Sequence, residues 1–436
     1  MSVAFNPQIM TAVEQLNYVV TVGDVASRAG LEINHTQQGL LTLASEAGGH
    51  LQVSTTGEMV FEFPRQFRTI LRNKFWRLRL QAWAKSLWQG IFYVIRISFG
   101  ILLILSIVLM LVAILLIWIA VNSKSSGDRD SGFNFGGDRR GGGGGFFFFP
   151  TDIFWLFSPN PYRQRRRQAQ SQSKENGLNF LEAIFSFLFG DGDPNADLDE
   201  KRWRTIGTLI RNNGGAIAAE QVAPYLDNVT PLNQETEDYI IPVLARFNGY
   251  PQVSPNGDLI YTFPELQVSA QRRAPQSLAS YLREKPWKFS QASSGQIMAA
   301  IALGGVNLVL ALTLGSLLVT YEIDLVLIQF VQGIYGILVA YAVGFLGIPL
   351  GRYFWLQHRN KGLEKRNEKR KKRATLLQPP APAIKAKLDF AQEWTESKVI
   401  SAEDITYRTD QDVHEQEALR SDQIDEEWRR RLESGL

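Results

Sequence analysis

The chain has 436 residues, with 46 Lys and Arg against 43 Asp and Glu, giving a formal net charge of +3. That length allows two or three domains, and both the charged and the apolar residues are gathered in blocks. There is no cysteine, which excludes disulfides, thiolate metal sites, Cys-ligated iron–sulfur clusters and cysteine nucleophiles together.

Residues 1–64 carry a short ordered pattern. A first helix is expected near residues 9–18. A strand and a small-residue helix follow in VTVGDVASRAGL (20–31), and a third helix in HTQQGLLTLASEAGG (35–49). The phrase QVSTTGEMVFEFP (52–64) reads as a hairpin turning at Thr56-Gly57. Helix, strand, helix, helix, hairpin is the order of a winged-helix domain. The start, MSVAFNPQIM, has neither a basic n-region nor an apolar h-region, so no cleaved secretory signal is expected.

Residues 65–96 alternate Arg and Lys with aromatic and aliphatic residues at helical spacing. They predict a basic amphipathic helix on an anionic membrane surface, contacted through Arg72, Lys74, Arg77 and Arg79. Trp76 and Trp83 suit the interfacial belt of that helix. Residues 97–121 contain no charge and are long enough to span a bilayer.

Residues 122–200 read as a glycine- and aromatic-rich linker with interfacial segments. FFFFPTDIFWLF (146–157) is too short and too proline-interrupted for a helical span; RQRRRQ (163–168) is basic, and LNFLEAIFSFLF (178–189) is amphipathic. DGDPNADLDE (191–200) spaces its oxygen-bearing residues like the opening of an EF-hand loop. Ala196 and Arg202 stand where that loop needs Gly and Glu, so it reads as an acidic linker.

Residues 201–268 repeat the first pattern. QVSPNGDLIYTFP (252–264) matches residues 52–64 at an offset of 200, and without gaps ETEDYIIPVLARFNG (235–249) falls on residues 35–49. A duplicated winged-helix unit is therefore expected, each copy followed by membrane-embedded sequence. Residues 297–350 form a hairpin of two apolar spans around the acidic turn Tyr321–Asp324. Asn307, strongly polar inside the first of these, is expected to make an interhelical hydrogen bond. The basic run RNKGLEKRNEKRKKR (359–373) reads as retention charge and lipid-surface contact. Residues 351–436 as a whole predict a charged, partly disordered tail.

A winged helix raises DNA binding, which demands Lys and Arg on the reading helix and wing. Residues 1–64 contain one basic side chain, Arg28, among six acidic ones. In the second copy the third helix opens with Glu235, Glu237 and Asp238, which would repel phosphate. Nucleic acid is thus disfavoured as a partner, and those three residues are the candidate surface for docking a basic protein. Four scattered histidines offer no metal centre. No catalytic constellation and no cofactor are expected.

Basic residues before the first span, before residue 297 and after residue 350 place all three points in the cytoplasm or stroma. A single crossing at 97–121 conflicts with this: either the 89–121 block doubles back with help from the 146–157 segment or the charge rule fails at one end, and the reading keeps both winged-helix copies on the inner side.

The duplicated QVS..G.....FP wing, the aromatic-rich glycine linker and the phrase KVISAEDITYRTDQDVHEQE (398–417) resemble a family of cyanobacterial and plastid membrane proteins. Its plant members carry the label iron–sulfur cluster biosynthesis family protein, and similar thylakoid proteins serve photosystem I assembly. With no cysteine, this chain has nothing with which to ligate a cluster in the usual way. The resemblance implies an α+β membrane protein of a thylakoid or cyanobacterial plasma membrane. Its expected function is a non-enzymatic scaffold or assembly factor that meets lipid and protein partners, among them a photosynthetic complex under assembly. A membrane-tethered winged-helix transcription regulator is the competing expectation.

Overall fold

The computed structural model describes residues 5–74, 76–124, 179–230 and 236–434. They fall into two compact units: Met1–Ala84 with Asp193–Pro286 and Asn360–Leu436, and Lys85–Gly192 with Trp287–Arg359. The expectations for residues 125–178, including the 146–157 segment and the 163–168 basic stretch, lie outside the described residues.

The first unit opens with α1 (Pro7–Gln15), β1 (Val19–Thr21), α2 (Val22–Ala29), α3 (Ile33–Ala47), β2 (His50–Ser54) and β3 (Met59–Glu62). The Asn6 side chain caps α1 by accepting from Gln8 N, and Pro7 presets the first helical φ. Thr21 and Asp24 form a reciprocal capping box at the start of α2. In the β2–β3 turn Gly57 has φ 87°, a conformation that favours glycine, and Ser54 Oγ accepts from Glu58 N at 3.1 Å. α4 (Phe67–Lys74) follows and buries Phe67 and Leu71 in the core. The chain then runs through α5 (Trp76–Lys124) and α6 (Phe180–Phe189).

The second module consists of α7 (Leu198–Asn212), β4 (Ala216–Ile217), α8 (Ala219–Val222), α9 (Ile241–Phe247), β5 (Tyr250–Val253) and β6 (Leu259–Thr262), with α10 (Pro264–Gln267) and β7 (Val268–Ser269) behind. Its sheet order, β4-β6-β5, mirrors β1-β3-β2, and Gln252 pairs with Ile260 as Gln52 pairs with Val60. Ser254 Oγ again accepts from the turn, at 3.0 Å from Asp258 N, and Gly257 has φ 86°. The repeated Ser and Gly thus build one turn twice. The third helices differ. α3 has 15 residues and α9 only 7, behind a 3-10 turn at Asp238–Ile240. Pro242 explains this, because proline is tolerated in a first helical turn and not in a helix interior.

α11 (Ser294–Thr320) and α12 (Val326–Thr375) complete the second unit together with α5 and α6. Among the described residues three helices are long and apolar enough to cross a membrane: Ser86–Ser123, Ser294–Thr320 and Val326–Thr375. The expected boundary between a surface helix ending at 96 and a span beginning at 97 is not present. α5 is one helix of 49 residues, uninterrupted by proline, so the 89–121 block does not double back. Leu103, Ile107, Ala300 and Phe345 pack with Ile184 and Phe187 of α6 in one layer, while Met110, Ile117, Leu314, Ile328 and Val331 form another. α5 and α11 therefore run in the same direction and α12 runs back. α6 sits at the end where α5 and α11 enter, and there Asp191 pairs with Arg96 at 3.0 Å. Trp287 stacks edge-on with Trp355 at that end, and the Arg359 guanidinium lies 4.4 Å from the Trp287 ring. At the seam of the two layers Ser106 Oγ donates to Asn307 Oδ1 at 2.9 Å, the interhelical bond expected of Asn307.

The described residues of the tail are not disordered. α12 continues as helix to Thr375, followed by α13 (Pro382–Glu393), β8 (Lys398–Val399), β9 (Ile405–Arg408) and α14 (Val413–Ser434). β8 lies parallel to β7, and β9 joins the first module's sheet beside β2. An edge strand presents unpaired N–H and C=O groups, and β2 finds its partner in this tail. Leu51 N donates to Thr409 Oγ1 at 2.8 Å and Leu51 O accepts from Thr409 N at 3.0 Å. In the second module Pro251 occupies the matching register position and has no N–H to offer, and among the described residues β5 is the edge of its sheet.

Candidate functional site: the junction of the modules and the tail

The two modules share one hydrophobic core, in which Val13, Val25, Leu43 and Phe61 of the first meet Ile206, Ile210, Val243 and Phe247 of the second. Their closest approach is α2 against α7 and α10. A Cβ on Gly23 would stand 1.8 Å from the Glu265 carbonyl oxygen, so no larger residue fits there. Arg246 Nε donates to Gly30 O at 2.9 Å, and its guanidinium stacks 4.3 Å from the Trp203 ring.

Asp24 is the polar centre of this junction. It is fully buried, yet accepts from Thr21 N at 3.1 Å, Ala270 N at 3.0 Å and Ser269 Oγ at 3.1 Å. Arg211 Nη1 bonds the same carboxylate, and Arg273 Nη1 reaches it at 3.4 Å. Burial alone would raise its pKa. The Arg211 and Arg273 guanidiniums and the Ala270 and Thr21 N–H groups more than offset that and hold it below the ordinary carboxylate range. One side chain thus ties the cap of α2 to α7 and to the strand after α10.

The tail is fixed by a second and a third cluster. Lys387 of α13 donates to Glu220 at 2.9 Å and Glu237 at 2.5 Å, while Tyr261 Oη donates to the other Glu237 oxygen at 2.9 Å. Burial works against the charged Lys387, but these two carboxylates raise its pKa overall. On α12, Arg366, Arg370 and Arg373 fall on one helix face. Arg366 grips Glu284 in a fork at 2.9 and 2.6 Å. The almost fully buried Arg370 bonds Leu282 O at 2.9 Å, Asp227 Oδ1 from Nε at 2.9 Å and Glu284 at 2.9 Å. Arg373 caps the carbonyls of Leu226 and Val229 at 2.9 and 2.8 Å.

These contacts correct two readings of the sequence. Glu237, expected on an exposed acidic docking face, is buried and already holds Lys387 and Tyr261. Such a carboxylate stays buried only with partners of this kind. Asp238 is exposed and accepts from Thr236 at 2.7 Å, and Glu235 lies outside the described residues. The basic run 359–373, read as retention and lipid-surface charge, places three of its arginines in ion pairs and carbonyl caps within the first unit.

Of the expected membrane-surface residues, Arg72 and Lys74 are exposed on α4, with Lys74 paired to Glu46, and Trp83 is exposed on α5. Trp76, Arg77 and Arg79 belong to the first turns of α5. Sequence reading missed Asp24, Arg211 and Lys387. Two signals were available: the Thr21-x-x-Asp24 capping box and, for α12, the 366/370/373 spacing.

A mixed α+β chain, with two modules of one element order locked together by its own tail and, among the described residues, three helices of membrane-spanning length, is the class this geometry defines. The chain is 36% identical over 448 aligned positions to a chloroplastic protein of Arabidopsis thaliana, At5g03900, itself described as uncharacterized. The match covers 97% of this chain and 81% of the relative, and the chain belongs to that family. No protein-family profile matches it, and no solved structure does.

Proposed function

We propose that this protein is a non-enzymatic scaffold of a plastid-type or cyanobacterial membrane, which holds a complex under assembly through two winged-helix modules. A thylakoid photosystem is the partner this reading favours. The three long apolar helices and the chloroplastic relative support the membrane and its compartment. The observation that carries docking over DNA reading is the state of the third helices. α3 has no Lys or Arg, and the one basic residue of α9, Arg246, is engaged with Gly30 O and Trp203. Neither helix is left a cation to set against phosphate.

Both modules face one compartment in this reading. Arg96 with Asp191, and Trp287 with Arg359, bring the points where the chain enters and leaves the second unit to one end of it. Basic residues concentrate near that end, which supports its assignment to the cytoplasmic or stromal side. Affinity purification of the tagged protein from native membranes tests the proposal. Subunits of one membrane complex should co-purify, and the purified protein should not retard duplex DNA at low salt. A salt-sensitive DNA complex without membrane partners would instead establish the tethered regulator.

A further inference from the structure

Beside the Asp24 cluster, within the first unit, α2, α7, the segment 269–276 and the stretch from α13 to β8 enclose a cleft of about 690 Å³. That volume lies within the range of small-molecule sites, roughly 300–1,000 Å³. Four arginines line it, Arg28, Arg211, Arg272 and Arg273, against two carboxylates, Asp24 and Glu396. Arg211 and Arg273 neutralise Asp24 between them, as described above, and Arg28 and Arg272 outnumber Glu396, so the wall still carries an excess of positive charge facing the cleft.

Three of the four arginines are held in place rather than loose. Arg28 Nε donates to Gln15 at 2.8 Å and Nη1 to Gln276 at 3.0 Å. Arg211 Nη2 donates to Ser269 Oγ at 2.9 Å, and Arg273 Nη2 to Leu16 O at 3.2 Å. A guanidinium has five donors in a fixed fork, so these bonds orient each plane and leave other donors for a guest. Arg28 is the only basic residue among the first 64, and it stands on this wall. Leu266, Leu388 and Val399 add an apolar face, while Asn212 and Gln392 add neutral donors and acceptors.

We infer that this cleft binds a small phosphate-bearing anion of up to mononucleotide size. The arginine forks take the phosphoryl oxygens, since planar bidentate donors match that group, and the apolar face takes a ring. Because α13 and residues 395–399 form one wall, an occupied cleft fastens the tail to the modules. The inference does not depend on what the modules dock.

The experiment uses the full-length protein in detergent, with AMP, inorganic pyrophosphate and adenosine as probes, followed by calorimetry and thermal unfolding. AMP should bind saturably at millimolar concentration and raise the melting temperature. Pyrophosphate should compete with it, adenosine should be far weaker, and added salt should weaken binding. Arg272 is exposed. Arg272→Gln should therefore leave the ligand-free melting temperature unchanged and weaken AMP about tenfold, the effect of losing one charge-assisted contact. Arg283→Gln, at an exposed site outside the cleft, should change nothing. Hydrogen exchange across residues 392–399 should slow with AMP bound. Absence of saturable binding by AMP and pyrophosphate, or binding that Arg272→Gln leaves intact, overturns the inference.

Discussion

Replacing Asp24 by Ala should cost more than any other single substitution at the module junction. The change leaves Arg211 and Arg273 facing each other beside a buried void, and removes the acceptor of Thr21 N, Ala270 N and Ser269 Oγ. Removing one partner of a buried, hydrogen-bonded charge pair costs about 3–5 kcal/mol. In a unit of this size each kcal/mol moves the melting temperature by about 2–4 °C, so a drop of about 6–20 °C is expected. Asp24→Asn keeps the shape and one acceptor oxygen and should fall between Ala and wild type. Tryptophan fluorescence during thermal unfolding reports the change, because Trp203 lies at the junction with Arg246. The pH profile adds a second reading. Asp24's folded pKa is depressed below its unfolded value of about 3.9. Its ionised form therefore contributes stability that is fully present above about pH 5 and is lost as pH falls through the folded value. Asp24→Asn should abolish that acid-side loss. A cost below about 1 kcal/mol for Asp24→Ala, or an unchanged acid limb in Asp24→Asn, would refute the role given to this residue.

Lys387→Met should cost about 2–4 kcal/mol, because it leaves the buried Glu237 without its cation, and adding Glu237→Gln should recover part of it; urea unfolding of the single and double variants measures both. Gly23→Ala should force α2 away from the Glu265 carbonyl, destabilise by about 1–3 kcal/mol and speed amide exchange in α2 and α10. Leu51→Pro, which copies the proline of the second module into the first, should leave the β2–β3 hairpin formed and release β9. Limited proteolysis cutting near residues 400–410 in the variant, and not in the wild type, is the expected result.

The repeat was legible because its signals are local. Ser54 and Ser254 cap their own turns, Gly57 and Gly257 supply the positive φ, and the alternation behind them sets strand register. The apolar helices were legible for a like reason, since length and composition alone define them. Glu237 was misread because the cation that makes its burial tolerable, Lys387, lies 150 residues away in a stretch that looks solvated. The tail's strands were invisible for the same cause. β9 is only four residues long, and although Ile405, Thr406 and Tyr407 suit a strand, the edge that it pairs with lies far off in the sequence, Leu51 and Thr409 being 358 positions apart. The Thr21-x-x-Asp24 spacing could have marked Asp24 as a helix cap, but nothing local marks it as a junction, because Arg211 and Arg273 reach it across more than 180 positions.

The proposal places both modules on one side of a membrane crossed by α5, α11 and α12, the chain returning after α5 to the end where Asp191 meets Arg96. The chain has no cysteine, so single-cysteine variants can be labelled without a background. Thr55→Cys in the first module, Asn256→Cys in the second and Glu322→Cys between α11 and α12 are all at exposed positions. Treated in sealed native vesicles of known orientation with an impermeant maleimide, Thr55→Cys and Asn256→Cys should react from the cytoplasmic or stromal face and Glu322→Cys only from the other. Labelling of Thr55→Cys and Asn256→Cys from opposite faces, or of all three from the same face, would contradict the account.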